Sequence, residues 1–169
     1  MQTWDAITSR RNVRSYADRP IQEDDLDRIL EAGRRAPSSQ NWQPWDFVLV
    51  TEREQLRELA KVWRGAGHVA DSAATIVVVG PANDNTFRRA QLDLGQATMA
   101  MMIAAADLGI GSCHAGIGDL PRVRELLGIP DDRDWALLVS FGYPAGRPLT
   151  PIRNPDRRPF GDVVHRGRW

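Results

Sequence analysis

A long apolar segment in the second half of the chain limits the possible folds more than any other feature. Large apolar side chains recur at helical spacing across residues 87–108, and small residues lie between them: Gly95, Ala97, Ala100, Ala104 and Ala105. The pattern predicts one long helix that is apolar on nearly all sides and therefore has to be covered on more than one side. Two interpretations stay open here: the helix is covered within one subunit, or it also lies at a subunit interface.

Shorter segments of both kinds surround this helix. Apolar, β-branched runs predict two internal strands at 47–50 and 74–79, and a third core strand is predicted at 135–141. Helical spacing, together with Pro, Asp and Gly at the boundaries, predicts further helices at 2–9, 22–35, 52–63 and 119–128. No linker interrupts this order, so we expect residues 1–169 to form one domain of helices and strands.

The composition argues against several classes of partner. The 22 basic and 22 acidic residues cancel, so we expect no nucleic-acid or membrane surface, and local arginine clusters would serve small anionic groups. Cys113 is the single cysteine, which excludes an internal disulfide, and the three histidines lack the spacing of metal ligands, so no metal is expected. The sequence shows neither an apolar leader nor a long apolar run, which makes a reducing cytoplasm the expected location.

Three arginines crowd the N-terminal region. Arg10, Arg11 and Arg14 place three guanidiniums within five residues, with Asn12 between them. The guanidinium is planar, stays protonated and can meet two phosphate oxygens at once, so the cluster is typical of a phosphate clamp. The alternative is an ordinary charged turn in contact with solvent.

A polar and aromatic loop follows the predicted helix 22–35. Residues 36–45 contain two prolines, two tryptophans and five hydroxyl or amide side chains. Prolines stiffen the loop, and the uncharged polar groups supply donors and acceptors, which suits recognition of a flat heterocycle edge and a polyol. Alternatively, Trp42 and Trp45 fill the core and the amides satisfy turn carbonyls.

Residues 109–118 contain four glycines and are predicted to form a loop. The segment does not match the dinucleotide fingerprint, but its glycines would let backbone N–H groups approach a planar ligand closely. His114 is expected to line a pocket or bond a backbone group rather than to act as an acid. Cys113 is expected to be a small core residue.

These motifs, in their order and spacing, resemble the flavin-dependent nitroreductase family, with Arg157-Arg158-Pro159 near the C-terminus as a fourth, weaker match. The resemblance covers nearly the whole chain. It implies an α+β fold in which a mixed, mainly antiparallel sheet is flanked by helices. It also implies a homodimer with the long helix at its interface and the tail, residues 145–169, wrapped around the partner subunit.

The resemblance further implies FMN as the cofactor. Arg10, joined by Arg157 or Arg158, would neutralise the phosphate, while Arg14 would lie at the pyrimidine end and favour the reduced flavin. The remaining cofactor contacts would come from Arg11 and Asn12 along the phosphate and ribityl chain, from Ala115, Gly116 and Ile117 at the flavin N5 edge, and from Pro37, Ser38, Ser39 and Asn41 of the second subunit.

The implied reaction is a two-step exchange. NAD(P)H reduces the flavin and leaves, and an electron-poor acceptor such as a nitroaromatic or quinone then uses the same face, which predicts ping-pong kinetics without a catalytic side chain. Asn12 departs from the serine more common in the family, and the short chain suggests an open acceptor pocket. Two alternatives remain: a same-fold FMN enzyme acting on a specific biosynthetic intermediate, and a flavin-binding protein without nicotinamide-dependent turnover.

Overall fold

Five α-helices and one four-stranded sheet form the structure, a computed structural model that describes residues 1–81 and 87–169. The helices are α1 (Thr3–Ser9), α2 (Glu23–Arg34), α3 (Arg53–Leu59), α4 (Phe87–Asp107) and α5 (Leu120–Leu127). The strands are β1 (Asp46–Val50), β2 (Ala74–Gly80), β3 (Gly111–Ala115) and β4 (Trp135–Gly142). Short 3-10 turns occur at Ser39–Asn41, Gly67–Val69 and Phe160–Asp162. The predicted α+β class is confirmed, and α4 matches the predicted long helix.

The sheet is mainly antiparallel. Its strand order is β1-β2-β4-β3, and each neighbouring pair runs antiparallel, with Val77 of β2 opposite Val48 on one side and Leu138 on the other. A parallel bridge between Asn12 and Ser112 adds the N-terminal segment beside β3. The four strands thus form an antiparallel sheet, and within the described residues the parallel component that the family resemblance implied is limited to this one bridge.

The two strands predicted to be internal differ. Every residue of β2 is buried between two neighbouring strands, which confirms that prediction. The prediction for residues 47–50 is wrong, because β1 is an edge strand that pairs only with β2 in the described sheet. Phe47 and Val50 pack into the two opposite core clusters, so each face of β1 has contacts with the core, although Leu49 stays exposed. An apolar run in the sequence thus indicates that the two faces of a strand contact the core, but it does not indicate whether the strand has one neighbour or two.

Two further boundaries differ from the predictions. The predicted loop 109–118 contains β3, because residues 111–115 pair with β4. The glycine at the start of β3 also lets the N-terminal segment approach closely: a Cβ on Gly111 would lie 2.7 Å from Cγ2 of Val13. The helix predicted at 52–63 ends earlier, at Leu59. The helix predicted at 119–128 is confirmed, with Asp119 accepting the Arg122 N–H at its start and Gly128 in the left-handed region at its end.

Helices cover both faces of the sheet. α2 and α4 pack on one face around Ile76 and Phe141, while α3 and α5 pack on the other around Val77 and Leu138. α2 and α4 approach closely at Gly33, where a Cβ would lie 2.8 Å from the Met101 Cγ.

Part of α4 nevertheless stays uncovered within one chain. Ala97, Met101 and Ala105 are fully buried, but Leu92 is 69% exposed and Met99 is 44% exposed. Cover from within one subunit therefore does not account for the whole apolar surface of α4. None of the helices in the described ranges is long and apolar enough to cross a membrane.

Candidate functional site

The arginine segment, residues 10–14, runs along the outer edge of β3. Val13 donates its backbone N–H to the Ser112 carbonyl at 3.0 Å, and its side chain is buried beside Gly111. Because successive residues of an extended segment face opposite ways, Asn12 and Arg14 point away from the core, and both are exposed. The segment begins where α1 ends, at Ser9.

The three guanidiniums of this segment do not form one cluster. Arg10 donates to the Asn12 Oδ1 at 3.2 Å, whereas Arg11 turns away and donates to the Arg147 carbonyl at 2.6 Å. Burial, and then the charge of Arg147, lowers the pKa of Arg11. Across residues 1–81 and 87–169, no carboxylate forms an ion pair with Arg10, Arg11 or Arg14. Arg10 and Arg14 are therefore the two guanidiniums open to an anion.

The outer edge of β3 offers backbone groups beyond the arginine segment. The Ser112 carbonyl points toward that segment. Because backbone groups alternate in direction along a strand, we expect the backbone N–H and carbonyl groups of His114 and Gly116 to point to the same side as those of Ser112. The Gly116 backbone is exposed, and nothing lies within 4 Å of where its Cβ would be. The flanking Ala115 and Ile117 pack into the core cluster beneath α3 and α5.

The turn after β3 is held in place by one carbonyl. Gly118 and Asp119 both donate their backbone N–H to the Val62 carbonyl, at 3.0 Å and 3.1 Å. A Cβ on Gly118 would lie 2.5 Å from the Trp63 ring, so this turn packs tightly against the end of the α3 region. The position of the Gly116 N–H is thus fixed by contacts on both sides of it.

A buried polar network connects the arginine segment to β4. The Tyr16 hydroxyl lies 2.6 Å from the Val13 carbonyl and 2.7 Å from the Ser140 Oγ. Ser140 in turn donates to the Cys113 carbonyl at 3.0 Å and lies 2.9 Å from the His68 Nδ1. Burial raises the pKa of Tyr16, so its phenol stays protonated and the network holds the segment against the sheet.

His68 joins this network through one ring nitrogen. Its Nδ1 lies 2.9 Å from the Ser140 Oγ, and the tautomer of the ring decides which of the two donates. The other ring nitrogen, Nε2, is buried and has no hydrogen-bond partner among the described residues. Burial, then the charge of Arg14 and then His114, lowers the pKa of His68, so the ring is neutral at pH 7.

Sequence reasoning missed both His68 and Ser140 as functional candidates. The available signal was the serine inside the otherwise apolar run 135–141, because a buried hydroxyl requires a polar partner. The expectation for Cys113 is met, since it is a buried core residue. His114 is exposed, and its side chain forms no hydrogen bond to a backbone group in the described ranges, so its predicted role stays a prediction. No group of His, Cys, Asp or Glu in the described ranges could hold a metal ion.

The polar loop, residues 37–41, adopts a strained backbone. Gln40 and Asn41, and also Gln43 just beyond, have positive φ angles of 55°, 57° and 53°. For residues with a side chain, this conformation costs about 1–2 kcal/mol each and has to be held by surrounding contacts. One such contact is local: the N–H of Gln43, just beyond the loop, donates to the Ser38 Oγ at 2.9 Å.

Helix α4 supplies the other contacts to the polar loop. The Ser39 N–H donates to the carboxylate of Asp93 at 3.1 Å, and the Arg89 guanidinium lies 5.6 Å from the centre of the Trp42 ring. Trp45 is buried and stacks with Phe47, so the core-filling interpretation is right for Trp45 but not for the exposed Trp42. Pro37 and Asn41 are exposed, and Ser38 and Ser39 are half-buried.

The C-terminal tail packs on its own chain only in its first part. Leu149 is buried, and the Ile152 N–H donates to the Thr8 carbonyl at 3.1 Å. All residues from 153 to 169 are exposed, including Phe160 and Val163. Within one chain, Arg158 donates to the Asp162 carbonyl at 2.9 Å.

The structure brings together some of the predicted residues and not others. Arg10, Asn12, Arg14 and the backbone at 115–117 share the outer edge of β3. No hydrogen bond in the described ranges joins them to the polar loop or to the arginines at 157 and 158. Within one chain, these groups of predicted residues therefore stay separate.

Comparison with known proteins decides the family. A model of the Nitroreductase family matches residues 7–79 and 61–143. A protein of Archaeoglobus fulgidus named as an NADH dehydrogenase/NAD(P)H nitroreductase is 34% identical, and the alignment covers 96% of both chains. The chain belongs to the nitroreductase family. The family expected from the motifs is thereby confirmed.

Two other relatives extend the comparison. The NADPH-flavin oxidoreductase of Vibrio harveyi is 28% identical over 99% of this chain and 74% of that protein. The crystal structure of a similarly named NADH dehydrogenase/NAD(P)H nitroreductase from Parabacteroides distasonis superposes with a TM-score of 0.87 at 28% identity, covering 100% of this chain and 99% of that one. The match extends over the complete fold of that nitroreductase.

Proposed function

We propose that the protein is an FMN-dependent oxidoreductase that transfers hydride from NAD(P)H to an electron-poor acceptor such as a nitroaromatic or a quinone. The observation that carries this proposal is the pair of open guanidiniums, Arg10 and Arg14, beside the exposed backbone of Gly116. A phosphate and a flat heterocycle with acceptor atoms at its edge match this combination. The names of the relatives, NAD(P)H nitroreductase and NADPH-flavin oxidoreductase, support the same function.

The residues present fit FMN. Arg10 is half-buried and in no ion pair across the described ranges, so it can give its charge to a phosphate. The space around Gly116 is open, so a planar ring can reach its backbone N–H.

The phosphate end is assigned to the beginning of the arginine segment. Arg10 would hold the phosphate, joined by Arg157 or Arg158 once the tail is in place. Asn12 would meet the phosphate or the ribityl chain with its exposed amide. Arg11 would contribute through its backbone, because its guanidinium is bonded to the Arg147 carbonyl.

The reactive end is assigned to Arg14 and the turn after β3. FMN, when bound, accepts a hydride at its N5 atom from the nicotinamide and passes that hydride on to the acceptor. Arg14 would place a positive charge at the pyrimidine end and so stabilise the negative charge that the hydride brings. The Gly116 N–H would donate to N5, with Ala115 and Ile117 anchoring that N–H in the core.

We further propose that the site is completed in a homodimer. Leu92 and Met99 form an exposed apolar strip on α4, and Trp4 and Ile7 are exposed on α1, which packs against α4. Phe160 and Val163 are exposed on the tail, which would wrap the partner subunit. Large apolar side chains grouped on one surface are typical of an obligate interface. The polar loop of the second subunit, with Pro37, Ser38, Ser39 and Asn41, would close the cofactor site.

The first test is the visible absorption spectrum of the purified protein, repeated anaerobically with NADH or NADPH. We expect flavin bands that bleach with at least one donor, and steady-state turnover with parallel double-reciprocal lines. Flavin bands that persist with both donors would instead indicate a flavin-binding protein. A colourless protein that takes up no added FMN would contradict the proposal altogether.

The dimer is tested separately by sedimentation velocity of wild type and of Leu92→Glu. A charge placed in the α4 strip is expected to shift the sedimentation coefficient to that of the monomer, since burying an unpaired carboxylate is costly. Leu49→Glu, at the exposed edge of the sheet, is the matched control and is expected to stay dimeric. A monomeric wild type, or a dimeric Leu92→Glu, would contradict the interface.

A further inference from the structure

We infer that Asp93 is a positioning residue for the flavin site: its buried carboxylate holds the polar loop in the strained conformation in which that loop meets the cofactor. The inference rests on the proposed function for its consequence, since the loop is assigned to FMN only there. The hydrogen bond between Asp93 and the loop is observed within a single chain and does not depend on that assignment. Asp93 lies 54 residues from Ser39 in sequence and reaches it from α4.

The burial of Asp93 is the first reason. The residue is 1% exposed, and aspartates are almost never fully buried without a compensating partner. In residues 1–81 and 87–169, no cation forms an ion pair with it. Its described partners are N–H donors: the Ser39 backbone at 3.1 Å on Oδ2 and the Gln96 side chain at 3.4 Å on Oδ1.

The position of that contact is the second reason. Ser39 immediately precedes Gln40 and Asn41, the two loop residues with positive φ, so the bond from Asp93 acts where the backbone turns into its strained conformation. A hydrogen bond from an N–H to a carboxylate is stronger than one to a neutral acceptor, which suits it to this role. Arg89, one helical turn earlier on α4, contacts Trp42 just beyond the loop. One helix therefore contacts the loop at Ser39 and the chain directly after it at Trp42.

The test compares three variants. Asp93→Ala removes the acceptor, Asp93→Asn keeps an oxygen of similar position without the charge, and Thr98→Val changes another buried polar side chain on α4 that has no described hydrogen-bond partner. For each variant, hydrogen exchange of the peptide covering residues 36–45 reports on the loop. Titration of the apoprotein with FMN reports on the site, and thermal unfolding reports on global stability.

We expect Asp93→Ala to exchange faster in the loop peptide and to bind FMN about tenfold more weakly, as the loss of one charge-assisted hydrogen bond predicts. Asp93→Asn should restore most of the protection and affinity, because its amide oxygen can still accept from Ser39. Thr98→Val should match wild type in both measurements. If Asp93→Ala does not fold, Asp93→Ser, which is too short to reach Ser39 but keeps a polar group, replaces it.

Two results would overturn the inference. One is an Asp93→Ala or Asp93→Ser protein with wild-type loop exchange and wild-type FMN affinity. The other is an equal loss in Thr98→Val, which would show that any change to the buried side of α4 weakens the site. Failure of the proposed function looks different: wild type itself would bind no FMN, while the loop would still exchange faster in Asp93→Ala.

Discussion

Arginine is used in two contrasting ways in this molecule. At the C-terminal end of α2, the guanidiniums of Arg34 and of the next residue, Arg35, both pair with the Glu31 carboxylate, at 2.6 Å and 2.5 Å. In the arginine segment, Arg10 and Arg14 have no carboxylate partner anywhere in the described ranges. A paired guanidinium must give up its carboxylate before it can bind an anion, whereas an unpaired one is ready to do so.

The difference is visible in the spacing of acidic residues. Glu31 stands three and four positions before its two arginines, where a helix brings side chains together. Arg10 has no acidic residue at either spacing, and it follows the end of α1. The carboxylates within one helical turn, rather than the number of arginines, therefore distinguish the two regions.

The strongest test of this contrast replaces one arginine from each region. Arg10→Ala is expected to weaken FMN binding about a hundredfold, because a phosphate loses about two charge-assisted hydrogen bonds. Arg34→Ala, on α2, is the matched control and should bind FMN like wild type. Fluorescence titration of both apoproteins decides the matter. Equal affinities in the two variants would show that the open guanidinium at position 10 has no role in binding.

Substitution of Arg14 is expected to have the second largest effect, on the rate of flavin reduction rather than on the affinity for FMN. Arg14→Met keeps the length of the side chain but removes its charge, and we expect the rate of flavin reduction by NADH or NADPH to fall at least about tenfold. Arg14→Lys should keep most of the rate. The measurement is anaerobic stopped-flow absorbance at saturating FMN. If flavin were reduced as fast in Arg14→Met as in Arg14→Lys, the proposed electrostatic role of Arg14 would be contradicted.

The two regions should also respond to acid at different pH values. His68 beside Arg14 has a lowered pKa when folded, so below about pH 6.5 the unfolded chain binds a proton that the folded chain resists. The stabilisation from a neutral His68 is therefore present above that pH and is lost as the pH falls. We expect the melting temperature of wild type to drop between pH 7 and pH 5, and that of His68→Gln to drop less. Parallel curves would contradict this assignment.

The sequence predicted well what depends on local pattern. Helix α4 follows from a period sustained over 21 residues, and the capped α5 follows from Asp119 and Gly128. It predicted poorly what depends on distant contacts. β3 forms by pairing with the distant strand β4, and nothing in a glycine-rich segment indicates that neighbour.

The same limit applies to the candidate site. The residues along the arginine segment and the turn after β3 were named from motifs, and the structure places them together. Asp93 and His68 were missed, because their partners Ser39 and Ser140 lie 54 and 72 positions away. A buried polar residue reveals its role only when the fold shows which group it satisfies.

The smallest effect is expected where the charges are paired and exposed. Glu31→Gln removes both ion pairs on α2, yet the melting temperature should fall by no more than about 3 °C, since exposed pairs contribute little. Hydrogen bonds from Arg34 and Arg35 lower the pKa of Glu31 to about 2, so its contribution is present above the usual glutamate pKa and is lost as the pH falls toward 2. The difference in melting temperature between wild type and Glu31→Gln should therefore shrink between pH 5 and pH 2.

The affinity of Glu31→Gln for FMN at pH 7 should equal that of wild type. A weaker affinity would show that Arg34 and Arg35 are not separate from the cofactor site.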